Sequence, residues 1–133
     1  MGNLKRIGYY SKAASDFDQS ALLTLAVEAA RLNALDGING VLFFNDGHFA
    51  QIFEGVDEGV NDLLSRLGRD RRHSDLKVVF EETIDTPLFH TWDMRLCRDE
   101  QEMNSLTIAR LAGKSLPPHI ADFIDNFGTR MEV

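Results

Sequence analysis

Asn45-Asp46-Gly47-His48-Phe49-Ala50-Gln51-Ile52-Phe53-Glu54-Gly55 decides the fold. Asp46-Gly47 between apolar runs predicts a two-residue hairpin loop. Residues 38–44 precede it and residues 49–53 follow it, so two antiparallel strands are expected. Val41 and Phe43 alternate with Leu42 and Phe44, and the return strand is equally apolar. Both faces of such a sheet need cover, and one layer of helices is not enough. Gln51 is the exception within this apolar run. It falls on the same face as Phe49 and Phe53, because strand side chains alternate. A buried amide left unpaired costs about 1–3 kcal/mol, so Gln51 must find partners. From this stretch alone, a satisfied core or strand-edge glutamine explains it.

Upstream, residues 4–11 read as a strand with Ile7, Tyr9 and Ser11 on one face and Gly8 and Tyr10 on the other. Asp18 or Ser20 is placed to cap a helix over 21–33, whose buried stripe is Leu22, Leu25, Ala26, Ala29 and Asn33. Asn33 ends that stripe where a leucine would be expected. A helix C-cap and a binding role both fit it. Downstream, residues 57–70 read as a second helix with the stripe Val60, Leu63, Leu64 and Leu67. Arg66 and Asp70 border this stripe at a four-residue spacing, which most often gives a surface ion pair, while the helix dipole disfavours Asp70 in the last turn and so favours a specific partner for it. Residues 76–83 read as a strand with Val78, Val79 and Phe80 at its centre. Residues 92–97 read as a last strand in which Trp92, Met94 and Leu96 share a face. Beyond residue 99 come a weak helix over 102–111, the breakers Gly113 and Pro117-Pro118, and an amphipathic helix over 120–127. The order predicts an α+β, ferredoxin-like βαββαββ sheet, with two helices on one face and a C-terminal helical cap on the other.

Composition narrows the function classes. The chain has 133 residues, enough for one domain with a core, and a net charge of −7. That charge disfavours nucleic acid and anionic membrane as partners. A single cysteine, Cys97, excludes an internal disulfide and a CxxC motif, which suits a cytoplasmic protein. No apolar run reaches the 18 residues of a membrane span, and the first residues carry no apolar signal core. His48, His73, His90 and His119 lack metal-ligand spacing, so no metal is expected. Neither a P-loop nor GxGxxG is present. The loop after the first strand, Ala13-Ala14-Ser15-Asp16, is neither basic nor glycine-rich, as an acylphosphatase-like hydrolase on this fold would need.

Several separate runs then converge. Arg31-Leu32-Asn33-Ala34-Leu35-Asp36-Gly37-Ile38-Asn39-Gly40, Gly47-His48-Phe49-Ala50-Gln51-Ile52-Phe53-Glu54-Gly55, Asp70-Arg71-Arg72-His73 and Trp92-Asp93-Met94 occur in this order. Together they resemble the BLUF (blue light using flavin) domain over residues 4–98. The resemblance implies a non-covalently bound flavin, FAD with FMN as the alternative, held between the two helices. It makes Tyr9 and Gln51 the photochemical pair, with Tyr9 preferred to Tyr10 by the Tyr-x-Ser pattern. It puts Asn33 at the polar edge of the flavin ring, and Arg66, Asp70, Arg72 and His73 around the ring and ribityl chain. Leu25, Phe49 and Leu67 are implied as apolar walls. Trp92 and Met94 are implied as signal relays, with Met94 also near the flavin. Asn39 departs from the family's common threonine, and Leu32 stands where some members carry a polar residue.

The implied function is a blue-light photoreceptor rather than an enzyme. Residues 1–98 would be the photosensor and residues 99–133 its helical cap, within one structural unit. No effector domain follows in this sequence, so the signal is expected to reach a separate protein or to act through a homo-oligomer. A ferredoxin-like interaction module without photochemistry is the competing expectation.

Overall fold

The computed structural model describes residues 3–130. The extreme ends of the two predicted segments, 1–2 and 131–133, lie outside the described residues. The hairpin forms as the sequence requires. Strand β2 (Asn39–Asn45) turns through Asp46 and Gly47, both at positive φ (49° and 76°), into β3 (His48–Val56). Only glycine adopts such a conformation without a steric penalty, and aspartate tolerates it better than most residues. The register sets Leu42 opposite Gln51 and Phe44 opposite Phe49.

Strand β1 (Leu4–Ala13) pairs antiparallel with the other side of β3, placing Tyr9 opposite Gln51. Strand β4 (His73–Ile84) pairs antiparallel with β1, and β5 (Arg95–Cys97) adds parallel to β2. The order β4-β1-β3-β2-β5 is the expected ferredoxin-like sheet with one extra strand. Because β4 is an edge strand, Val78 and Val79 are exposed rather than central to the core.

Helix α1 (Gln19–Asp36) is capped by Asp18, whose carboxylate accepts from the Ala21 amide. It ends at Gly37 in the left-handed conformation, so it outruns the predicted end by three residues. Asn33 is therefore interior to the helix, and its side chain does not cap it. Helix α2 (Asp57–Arg69) carries Asp57 and Glu58 in its first turn, where the helix dipole favours negative charge. Leu22 from α1 and Val60 and Leu63 from α2 pack with Ile7, Phe49 and Phe53 on one sheet face.

The other face is covered by α3 (Ser105–Ala112) and α4 (Pro118–Arg130). The predicted helix over 102–111 is split: Glu100–Glu102 is a short 3-10 turn, and Asn104 caps a new helix at Thr107. Ile120, Phe123, Ile124 and Phe127 of α4 close on Val41, Phe43, Ala50 and Ile52 of the sheet. Each such fully buried side chain stabilises the fold by about 1.5–3 kcal/mol. The polar exception on this face is Arg6, whose Nε lies 2.9 Å from Glu54, with both side chains almost fully buried.

Residues 85–94 form no strand. This strap between β4 and β5 is held by side chains that reach its backbone. Arg6 donates to the Thr86 carbonyl and Glu54 accepts from the Phe89 amide. Asn39 Nδ2 donates to the carbonyls of His90 and Trp92, both at 3.3 Å. The expectation that Trp92, Met94 and Leu96 share a face is overturned here. Without a ladder, the two-residue alternation does not apply. Trp92 packs on the α4 side, stacked on Phe89, while Met94 and Leu96 pack on the α1–α2 side.

Candidate functional site

A cavity of about 190 Å³ lies between α1 and α2, above β1, β2 and β3. Each element contributes by its periodicity. Leu25, Ala29 and Asn33 recur at four-residue steps along α1, and Leu63, Arg66, Leu67 and Asp70 come from α2 and its end. Tyr9, Leu42, Phe49 and Gln51 come from the strands, and Arg72 and His73 from the entry to β4. Of the residues singled out in the sequence, Trp92 and Met94 are not on the cavity wall.

At the floor, Tyr9 is 2% and Gln51 4% exposed. The Tyr9 hydroxyl donates to Gln51 Oε1 at 2.5 Å, and Gln51 Nε2 donates to the Met94 sulfur at 3.6 Å. The amide thus bridges a phenol and a thioether through opposite atoms. Burial pushes the Tyr9 phenol well above its ordinary value, with the Asp70 charge adding to the effect, so it stays protonated. Asn33 Nδ2 donates 3.1 Å to the Asp93 carbonyl, next to Met94, which ties α1 to the strap.

The rim is built of ion pairs. The predicted Arg66–Asp70 pair does not form. Helix α2 stops at Arg69 and Asp70 is extended, so the four-residue helical spacing is lost. Arg66 instead meets Asp36 of α1 at 3.3 Å. Asp70 meets Arg72 at 2.7 Å, and those hydrogen bonds hold its carboxyl below the usual range. Arg72 also reaches Glu28 on α1. Both His73 nitrogens are engaged by the protein: Nδ1 with the Ser11 hydroxyl at 2.8 Å, Nε2 with the Leu67 carbonyl at 2.7 Å.

Glu28, Ala29, Leu42 and Leu63 line the cavity although the sequence did not assign them to it. Leu42 was reachable from the hairpin register and Leu63 from the α2 stripe. Ala29 was already on the α1 stripe, Leu32 stood out as a departure at a position near the flavin, and Glu28, one position round from the α1 stripe, gave no signal. The Cys97 thiol is fully buried, and burial pushes it up to about 11, so it remains a thiol.

The family described as "BLUF: Sensors of blue-light using FAD" matches residues 4–95. The chain belongs to the BLUF family. These residues form a blue-light sensor domain that uses a flavin. Photoactivated adenylate cyclase subunit beta of Euglena gracilis is 27% identical over 107 residues, 79% of this chain but only 12% of that protein. The chain therefore spans a small part of that relative. Among solved structures, Klebsiella pneumoniae BlrP1 in a manganese and cyclic-di-GMP complex superposes with a TM-score of 0.80 at 26% identity, covering 95% of this chain and 33% of that one. BlsA in its photo-activated state superposes with a TM-score of 0.72 at 26% identity, covering 94% of each chain.

The BLUF cavity fits a flavin on its own chemistry. Leu25 and Ala29 on one helix face Leu63 and Leu67 on the other, which suits a flat aromatic ring system. The amides of Asn33 and Gln51 supply donors and acceptors for a polar ring edge. Among the described residues, no helix is long and apolar enough to cross a membrane.

Proposed function

We propose that this BLUF chain is a switch in which Tyr9 and Gln51 carry the photochemistry and no substrate is consumed. The observation that supports this most directly is the 2.5 Å hydrogen bond from the Tyr9 hydroxyl to Gln51 Oε1, at the floor of the cavity. Bound flavin would supply blue-light absorption and an electron acceptor. With flavin bound, Tyr9 would give up an electron to it, and a proton would move from the Tyr9 hydroxyl through the Gln51 amide, in at Oε1 and out at Nε2. Both would return to Tyr9, with the Gln51 amide left rotated or tautomerised. Glutamine suits the role because its two ends donate and accept; glutamate would add a buried charge and leucine would break the chain.

Asn33 would face the polar ring edge, with Leu25, Phe49 and Leu67 as walls. Arg66, Asp70, Arg72 and His73 would border the ribityl side. Met94, which accepts from Gln51 Nε2, would be the first relay outward toward the strap, and Trp92, on the opposite face of the sheet, the second. Residues 1–98 serve as the sensor and residues 99–133 as its helical cap. FAD is the proposed flavin, in keeping with the family's description. FMN is the second reading, because one BlrP1 structure is described with FMN. The output passes to a separate cytoplasmic effector, or through a homo-oligomer of this chain.

The test is an absorption spectrum of purified protein before and after blue light, with chromatography of the released flavin. A yellow protein with a reversible red shift supports the switch. A colourless protein from flavin-replete cells supports an interaction module instead.

A further inference from the structure

Tyr9 and Tyr10 are consecutive, so β1 sends one hydroxyl into each face of the sheet. Tyr9 ends on Gln51. Tyr10 ends on α4: its hydroxyl donates 2.6 Å to the Phe123 carbonyl, and its ring stacks on Phe123 at 4.6 Å between centroids and 10° between planes. Phe80 meets the same Phe123 ring edge-on at 5.4 Å. Phe80 also crosses β1 at Gly8, where an added Cβ would lie 2.2 Å from its ring, so any side chain there would have to displace that ring. The pairing of β1 is unequal on its two sides. With β3 it is continuous through Tyr9↔Gln51 and Tyr10↔Ala50. With β4 the register shifts between Gly8 and Tyr9, and again between Tyr10 and Lys12, while Tyr9 and Tyr10 pair with Val78 and Lys77. The Tyr9–Tyr10 unit thus keeps an unbroken register with the strand that carries Gln51 and is flanked on its edge-strand side by two irregularities, where the strand can bend.

The geometry points to Tyr10 as the residue that couples the cavity to α4 along β1, a second route beside the proposed Met94–Trp92 relay, which leads to the strap and β5. A change in the Tyr9–Gln51 hydrogen bond displaces the Tyr9–Tyr10 unit, and the Tyr10 hydroxyl passes that displacement to the helix at Phe123. This rests on the light-driven Tyr9–Gln51 rearrangement proposed above. Tyr10 does not border the cavity, so it is a positioning residue. Helix α4 is also held by His119, 2.8 Å from Glu82, so losing the Tyr10 hydroxyl leaves the helix docked.

The experiment is amide hydrogen exchange of the full flavin-bound chain, dark and under blue light, in wild type, Tyr10→Phe and Trp92→Phe. In wild type, exchange in α4 rises in the light by about fivefold, the equivalent of one net hydrogen bond. Tyr10→Phe keeps the ring stacking and the red shift but loses most of the light–dark difference. Trp92→Phe retains that difference. A purely structural role for Tyr10 would raise exchange equally in dark and light and preserve the difference. That result overturns the proposal, as does a red-shifting wild type without a light effect in α4. Loss of the difference in Trp92→Phe, with its retention in Tyr10→Phe, assigns the coupling to β5 and also overturns it. A wild type with no red shift overturns the light-sensor reading and this one with it.

Discussion

The two faces of the sheet are cut from the same strands, yet they are built differently. Under α1 and α2, Tyr9, Gln51 and His73 stand among apolar walls around a cavity, and Ser11 bonds to His73. Under α3 and α4, Phe43, Phe89, Phe123 and Phe127 close on one another with almost no exposure. The first face forgoes packing for a cavity lined by hydrogen-bonding side chains. The second has one arrangement, fixed by volume. A sensor needs both: a place where bonds can be redrawn at little energetic penalty, and a rigid neighbour against which a small shift registers.

The most drastic way to break this contrast is Gln51→Leu. Flavin binding should survive and the light-induced red shift should vanish from the difference spectrum; a normal shift would remove Gln51 from the mechanism. Tyr9→Phe should lose the shift as well, and Tyr10→Phe should keep it. Loss in Tyr10→Phe would mean the faces have been assigned the wrong way round.

Stability separates the faces next. In urea denaturation of the flavin-free protein, Phe127→Ala should lose about 3–5 kcal/mol, because its side chain is fully enclosed. Leu67→Ala should lose about 1–2 kcal/mol, the transfer term of a half-buried leucine that already borders empty space. Equal losses would erase the difference in packing. Glu54→Gln should fall between them, near 3 kcal/mol, since it removes a charge that Arg6 meets inside the protein.

The smallest effect is a pH dependence. The folded Tyr9 phenol is raised above its ordinary 10.0, so the unfolded chain loses this proton first. The contribution is therefore whole below pH 10 and declines as pH rises toward the folded value, by at most about 1.4 kcal/mol per pH unit. Tyr9→Phe should lack that part of the alkaline decline. Identical profiles for the two proteins would mean the phenol is not desolvated.

Much of this architecture was legible in residue patterns. Asp46-Gly47 with flanking alternation set the hairpin, and the stripes on α1, α2 and α4 set which face each helix covers. Tyr9 and Gln51 could be put on one face because β1 and β3 keep the two-residue period throughout. The reading failed where no period operates. Arg66 and Asp70 were paired by a helical spacing that ends one residue too soon. Trp92 was given the face of Met94 by an alternation that the strap does not obey. Asn39 and Glu54 act on backbone atoms of a distant loop, and such contacts leave no pattern along the chain.

The strap has a consequence for how this sequence can drift. Asn33, Asn39 and Glu54 grip its peptide groups, while the side chains of His90, Thr91 and Asp93 point outward. The instructions for the strap's path are therefore written elsewhere, in α1, β2 and β3. Residues 90, 91 and 93 should tolerate wide replacement in a selection for coloured, light-responsive protein. The two asparagines and the glutamate, each far along the chain from the segment it holds, should not.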